Sequence, residues 1–380
     1  MPHGRNLSAS SFCTTLSIDS DTFVDFFDND KYNTQELIKE AHTIVEKHRT
    51  RLIQSVPSNS KYHLDKLLEG MLDFAPSSLG ARYVAIVLHI AAAKDDHGVS
   101  IVAAAKAWLD QFVIPMLAIA VDHRSEPSGS QTPTIDLTAQ GMENADRKPQ
   151  RDFRIALAQR ERYYCAITGS FDRDRGELLD TLGRSNEVPQ VPARKMVAAH
   201  IIPLYLNSFD ETWDDNTGRT TMRDAASTWD ILQSWTQLDL AGLRGDNITS
   251  PSNGIYMTSD DHDTFGAYKF YLDKATFPDD NNKYRAVCLR GRLSSGTLSS
   301  TVTFNGPEPP NSDYLNIHAA FARVFHLCGA AEYVEDSRRE TERVDVLRSN
   351  DQMDFGHALA SRLAGLWNRG VVSGRTQPVY

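Results

Sequence analysis

The 380-residue chain has little cysteine, no long apolar run and no surplus of positive charge. Its four cysteines, Cys13, Cys165, Cys288 and Cys328, lie far apart, and none forms a Cys-x-x-Cys pair. That spacing argues against a disulfide framework and for a reducing compartment. The longest apolar run, Val113 to Val121, is too short to span a bilayer, and Lys106 and Asp110 lie just before it. The N-terminus shows no basic stretch leading into an apolar core. A soluble, intracellular protein, cytoplasmic or nuclear and without membrane contact, is therefore expected. With 40 Lys and Arg against 50 Asp and Glu, the net charge is −10, so there is no overall basic footprint for nucleic acid. Phosphate binding would need a local basic surface. The segment 151–200 is the less acidic part, with nine Lys/Arg against seven Asp/Glu.

What is present is enough for real cores: 41% of residues are hydrophobic, and the length fits two or three domains. Residues 1–19 are rich in Ser and Thr and read as a disordered N-terminus. Asn33 with Glu36 marks a helix start, and Leu37, Ile38, Ala41, Ile44, Val45 and Leu52 follow with helical spacing. Further helical stretches near 61–74, 79–93 and 100–121 make 20–122 an all-helical domain, with Pro115 expected to end or kink the last of them. This domain carries no motif for chemistry, and a scaffold or a protein-partner module is its plainest role. The polar, Pro- and Ser-containing stretch 123–150 reads as a linker. A helix over 151–164 follows, with Arg160 or Arg162 as candidate nucleic-acid phosphate contacts. Strands are expected at 269–272, 284–290 and 298–304, then helices in 307–380, one on the stripe from Tyr314 to Cys328 and one at 354–368.

The chemistry-bearing residues lie in a split stretch. Met196 to Ala199 is a short apolar run ending in His200, and Ile255 to Met257 is a second run of strand-forming residues. Thr258 or Ser259 then caps a helix with acidic residues in its first turn, where the helix dipole favours them. The local order is strand, loop, strand, short helix. His200 ends the first strand, Asn253 enters the second, and His262 lies in the first turn of the helix.

This layout resembles the ββα-metal finger of HNH endonucleases. The resemblance rests on Cys165-x-x-Thr168-Gly169, then Ala199-His200-Ile201-x-Pro203, then Asn253-Gly254-Ile255, then His262-x-x-Phe265. The expected fold class is therefore α+β: an HNH finger domain over 151–306, flanked by the N-terminal helical domain and C-terminal helices. The resemblance implies a metal-dependent endonuclease that hydrolyses phosphodiester bonds in DNA, with RNA as the alternative substrate. It implies His200 as general base, which suits an imidazole that titrates near neutral pH. It implies His262 as a ligand of a divalent ion, Mg²⁺ or Mn²⁺, and Asn253 either as a further ligand or as the residue orienting the loop that carries the base. No structural zinc is expected, since the chain lacks the two Cys-x-x-Cys pairs that hold it in some members.

Two departures bear on activity. Many such sites place an Asp or His directly before the general base, where this chain has Ala199. Asp246, Asp261 or Asp263 is left to complete the metal shell. The helix motif often continues Phe-Asp, whereas Phe265 here precedes Gly266. A catalytically inactive HNH-like module used for protein or nucleic-acid interaction is accordingly the alternative. The roughly fifty residues between Pro203 and Asn253 form an acidic, Trp-containing insert, read as a lid, a specificity element or extra packing.

Overall fold

The computed structural model describes residues 20–29, 32–58, 60–94, 96–117, 148–203, 228–238, 240, 243, 245–280, 282–297 and 299–336. The segments expected at 1–19 and 354–368, most of the linker, and insert residues 204–227 lie outside the described residues. The chain forms two compact units. One contains Met1–Ser125, Glu211–Gln237 and Val324–Tyr380, and the other Glu126–Asp210 and Leu238–Arg323. This differs from a linear division at 150 and 306. Part of the insert belongs with the helical unit, and the second unit runs on to Arg323.

The first unit is helical. α1 (Ser20–Asp28), α2 (Thr34–Gln54), α3 (Leu64–Asp73), α4 (Ser78–Ala93) and α5 (Val99–Trp108) surround α4, which packs against the other four. α2 starts where expected: the Asn33 side chain accepts from Gln35 N at 2.8 Å. Arg82, buried in the middle of α4, donates to the carbonyls of Phe26, Phe27, Asn29 and Tyr32 and to the Thr34 hydroxyl, so one guanidinium pins the turn between α1 and α2.

Pro115 does not end the helix that follows α5. The turn Leu109–Val113 widens to π geometry, and the helix resumes to Leu117. Proline offers no N–H to the carbonyl four residues earlier, and that carbonyl, on Gln111, accepts instead from the Thr228 hydroxyl at 2.8 Å. Among the described residues, Val99–Leu117 is the one helix long and apolar enough to cross a membrane, and half of it is buried inside the protein. Residues 228–236 are helical, with Trp229 and Trp235 buried as core residues. Trp235 Nε1 donates to Met71 O at 3.0 Å, and its ring meets Phe112 edge-on. Gly80 is required there, because a Cβ would fall 1.8 Å from Trp235 O.

The second unit is α+β, with short strands in three small sheets. β1 (Phe171–Asp172) pairs in parallel with β2 (Ala193–Arg194). β3 (Met196–His200) pairs antiparallel with β4 (Gly254–Thr258), with Met196 opposite Thr258 and His200 opposite Gly254. β5 (Phe270–Asp273), β6 (Lys283–Cys288) and β7 (Ser299–Thr303) form an antiparallel meander. The helices are α6 (Lys148–Arg160), α7 (Arg173–Thr181), α8 (Ser259–Gly266) and the part up to Arg323 of α9 (Ser312–Leu327). β4 is buried along its whole length, as its apolar sequence requires, and both α6 and α8 pack on the β3–β4 pair.

Candidate active site

β3 delivers His200 to the end of the strand pair, and the register sets it opposite Gly254. Beyond His200 the chain is held by Asn253. Ile201 N donates to Asn253 O at 3.0 Å. The Asn253 amide then grips Ile202 from both sides: Oδ1 accepts from Ile202 N at 2.8 Å, and Nδ2 donates to Ile202 O at 2.9 Å. The second Nδ2 hydrogen reaches Ile248 O at 3.0 Å. Asn253 is fully buried. Three of its four hydrogen-bonding positions are used in this clamp, and the fourth is an Oδ1 lone pair. The clamp is the geometry that orienting the loop after His200 requires.

Gly254 allows a close approach. A Cβ at this position would lie 2.4 Å from Phe153 Cζ and 2.6 Å from Leu157 Cδ1, both on α6. Phe153 lies against His200, with ring centroids 4.3 Å apart and planes 18° from parallel.

Arg160 is a structural residue, which corrects its expected role as a phosphate contact. Its side chain is 2% exposed and pairs with Glu161 at 2.7 Å. Its remaining N–H groups reach Gly254 O at 2.7 Å, Pro251 O at 2.8 Å and Glu308 O at 3.1 Å. Burial pushes Glu161 up, against the pull of the guanidinium beside it. Arg162, by contrast, is exposed, with a positive φ of 53° at the end of α6.

The Cys165-x-x-Thr168-Gly169 segment forms a tight turn held by backbone hydrogen bonds. Gly169 N donates to Cys165 O at 2.9 Å, Cys165 N to Ser170 O at 2.8 Å, and Ala166 N to Tyr256 O at 2.9 Å, which fastens the turn to β4. Gly169 adopts φ 70°, where glycine costs least. Below it, the Tyr256 hydroxyl donates to the buried Asp172 carboxylate, which also caps α7 by accepting from Asp174 N at 3.0 Å. Burial raises the Asp172 pKa, and burial beside that carboxylate pushes the Tyr256 hydroxyl far above its usual range.

α8 carries His262. Thr258 caps it by accepting from Asp261 N at 3.1 Å. Asp261 is fully buried and cannot serve an ion: it accepts from the Thr258 hydroxyl at 2.7 Å and from Ser294 Oγ and N at 2.6 and 2.8 Å. Cys165 Sγ lies 4.0 Å from the same carboxylate, and burial raises its thiol pKa. This cluster joins the Cys165 turn, the helix cap and the loop after β6. At the other end of α8, His318 of α9 is buried. It stacks on Phe265 at 3.7 Å and on Tyr268 at 4.8 Å, with Nε2 3.1 Å from Phe265 O. Burial pushes its pKa down to about 3.

His262 itself is 28% exposed, with Nδ1 3.5 Å from Asp263 Oδ1. The side chain of Asp246 lies outside the described residues. Among the described residues, no three or more His, Cys, Asp or Glu side chains are grouped to hold an ion.

Residues 165–273 match the HNH endonuclease family model. This segment is of the HNH type. The match spans the Cys165 turn, the β3–β4 pair, α8 and β5, and it leaves α6, α9 and α1 to α5 outside. No curated protein and no solved structure matches the chain. Sequence reasoning missed three members of the HNH surroundings: Phe153 on His200, Ser294 on Asp261, and His318 on Phe265. Phe153 alone left a signal, as an apolar position on the buried face of α6.

Proposed function

We propose that the HNH unit hydrolyses phosphodiester bonds in DNA as a metal-dependent endonuclease, with His200 as general base. The observation that carries this reading is the fastening of the His200 end of β3 by the buried Asn253 clamp, which spends a polar residue on holding one loop in place. In the reaction a water oxygen forms a bond to phosphorus while His200 takes its proton, and the bond from phosphorus to the leaving oxygen breaks. A divalent ion would supply positive charge to the phosphate and the leaving oxygen. His262, half-exposed on α8, is the residue that would hold it. Arg162 is the exposed cation of the original pair and the candidate phosphate contact. The helical unit is the candidate surface for a protein partner.

A second reading, an HNH fold kept for interaction without catalysis, is favoured by the absence of a three-residue ligand cluster among the described residues. Plasmid cleavage with Mg²⁺ or Mn²⁺ separates the two. His200→Ala is expected to lower the rate about 10²- to 10⁴-fold with little change in melting temperature. No cleavage by the wild-type protein, with no divalent-ion binding at millimolar concentrations, would leave the interaction reading. An RNA substrate in the same assay decides between the two nucleic acids.

A further inference from the structure

We infer that Phe153 is a positioning residue for the His200 imidazole; this rests on the reading of His200 as general base. Phe153 comes from α6, upstream of the segment that matches the family model at 165–273. It is 3% exposed, so its place is fixed by packing and not by chance contact at a surface. Its ring lies 4.3 Å from that of His200 and within 18° of parallel. The seat for this ring is made by Gly254, the residue opposite His200, whose missing side chain is the space that Phe153 Cζ and Cε2 occupy.

The arrangement matters because a general base must put one lone pair within about 3 Å of the proton it takes. Backbone hydrogen bonds place the Cα of His200, and the Asn253 clamp places the chain after it. Neither fixes the plane of the ring, since the terminal torsion of histidine is broad. A flat partner in contact with one face does. It leaves the edge of the ring, with Nε2 buried, for in-plane hydrogen bonds. As His200 becomes cationic on taking the proton, the π face of Phe153 also attracts it. A branched aliphatic side chain at 153 fills the volume without imposing a plane.

The test uses the full chain with Phe153→Leu, Phe153→Met and Phe153→Tyr, and with His200→Ala to assign the imidazole protons by NMR. Phe153→Met guards against misfolding, since a flexible thioether fills irregular space. Cleavage of supercoiled plasmid is measured with Mg²⁺. The aliphatic variants are expected to lower kcat about 10- to 100-fold, as misplacement of a reacting group does, with KM little changed. Phe153→Tyr should restore both. The His200 ring protons, shielded by the Phe153 face in the wild type, should move downfield in the aliphatic variants and stay in place in Phe153→Tyr. Unchanged His200 resonances in a folded aliphatic variant overturn the inference, as does unchanged kcat when His200→Ala is inactive. If His200→Ala cleaves like the wild type, the general-base reading falls by itself. The resonances then still decide whether Phe153 orients the ring.

Discussion

Arg160 donates a 2.7 Å hydrogen bond to the carbonyl of Gly254, the residue that faces His200 across the strand pair. The same guanidinium reaches Pro251 O and Glu308 O, so it ties the entry to β4 to the turn before α9. Arg160→Lys keeps the charge and loses the planar fork. It should destabilise the protein by about 2–4 kcal/mol in urea unfolding, because buried carbonyls lose their donors. A variant of normal stability with weakened DNA binding would return Arg160 to the role of a phosphate contact.

Asn253→Asp offers a sharper division, since it swaps an amide for a carboxylate of the same shape. As a clamp, Asn253 donates to Ile202 O and Ile248 O, and a carboxylate cannot. The variant should lose about 2–4 kcal/mol of stability and most of its cleavage. Were Asn253 a ligand, the carboxylate would tighten divalent-ion binding in calorimetry, and that result would reverse the assignment made above.

His318 predicts acid sensitivity. Its folded pKa of about 3 lies below the usual value near 6.5, so the folded state prefers the neutral ring. The stability this preference contributes is present above pH 6.5 and is lost as pH falls from there towards 3. Between pH 7 and pH 5 the loss is about 2 kcal/mol. His318→Phe keeps the stack between Phe265 and Tyr268 and cannot take a proton. Thermal unfolding of the wild type should fall over this range by more than that of the variant. Parallel pH profiles would show that His318 is hydrated in the folded protein.

Metal removal should leave the fold intact. The Asp261 cluster, with Thr258 and Ser294, ties α8 to the loop after β6 by hydrogen bonds. EDTA is therefore expected to stop cleavage with no shift in melting temperature, unlike a zinc-built finger. Asp261→Ala, which strands the Ser294 and Thr258 donors in a buried site, should cost about 2–4 kcal/mol. Unfolding by EDTA would mean that a structural ion completes the cluster.

The elements of the finger were legible because their signals are local. Two apolar runs, a threonine cap and acidic residues in the next turn give β3, β4 and α8 within a residue or two. The site was legible only in part, because its support comes from carbonyls and distant side chains. Nothing in the sequence separates Arg160 from Arg162. The difference lies in acceptors at 251, 254 and 308, and a carbonyl has no side-chain signature. The three acidic candidates near His262 look alike until Ser294, 33 residues beyond Asp261, selects one of them for burial. Phe153 reads as an ordinary core position until the register places Gly254 beneath it. The division into units was hidden for a related reason. The periodicity around Trp229 and Trp235 announces burial, but not which core receives them.

That last point bears on how the protein is made. The helical core takes Trp235 against Gly80 and Phe112, and the Thr228 hydroxyl answers the Gln111 carbonyl that Pro115 leaves without its helical donor. These groups emerge from the ribosome more than a hundred residues after the helices they complete. The nascent first unit therefore waits, with an open seam, while β3 and its histidine are synthesised. A chain truncated before residue 228 is therefore expected to leave the first unit without these contacts and less stable.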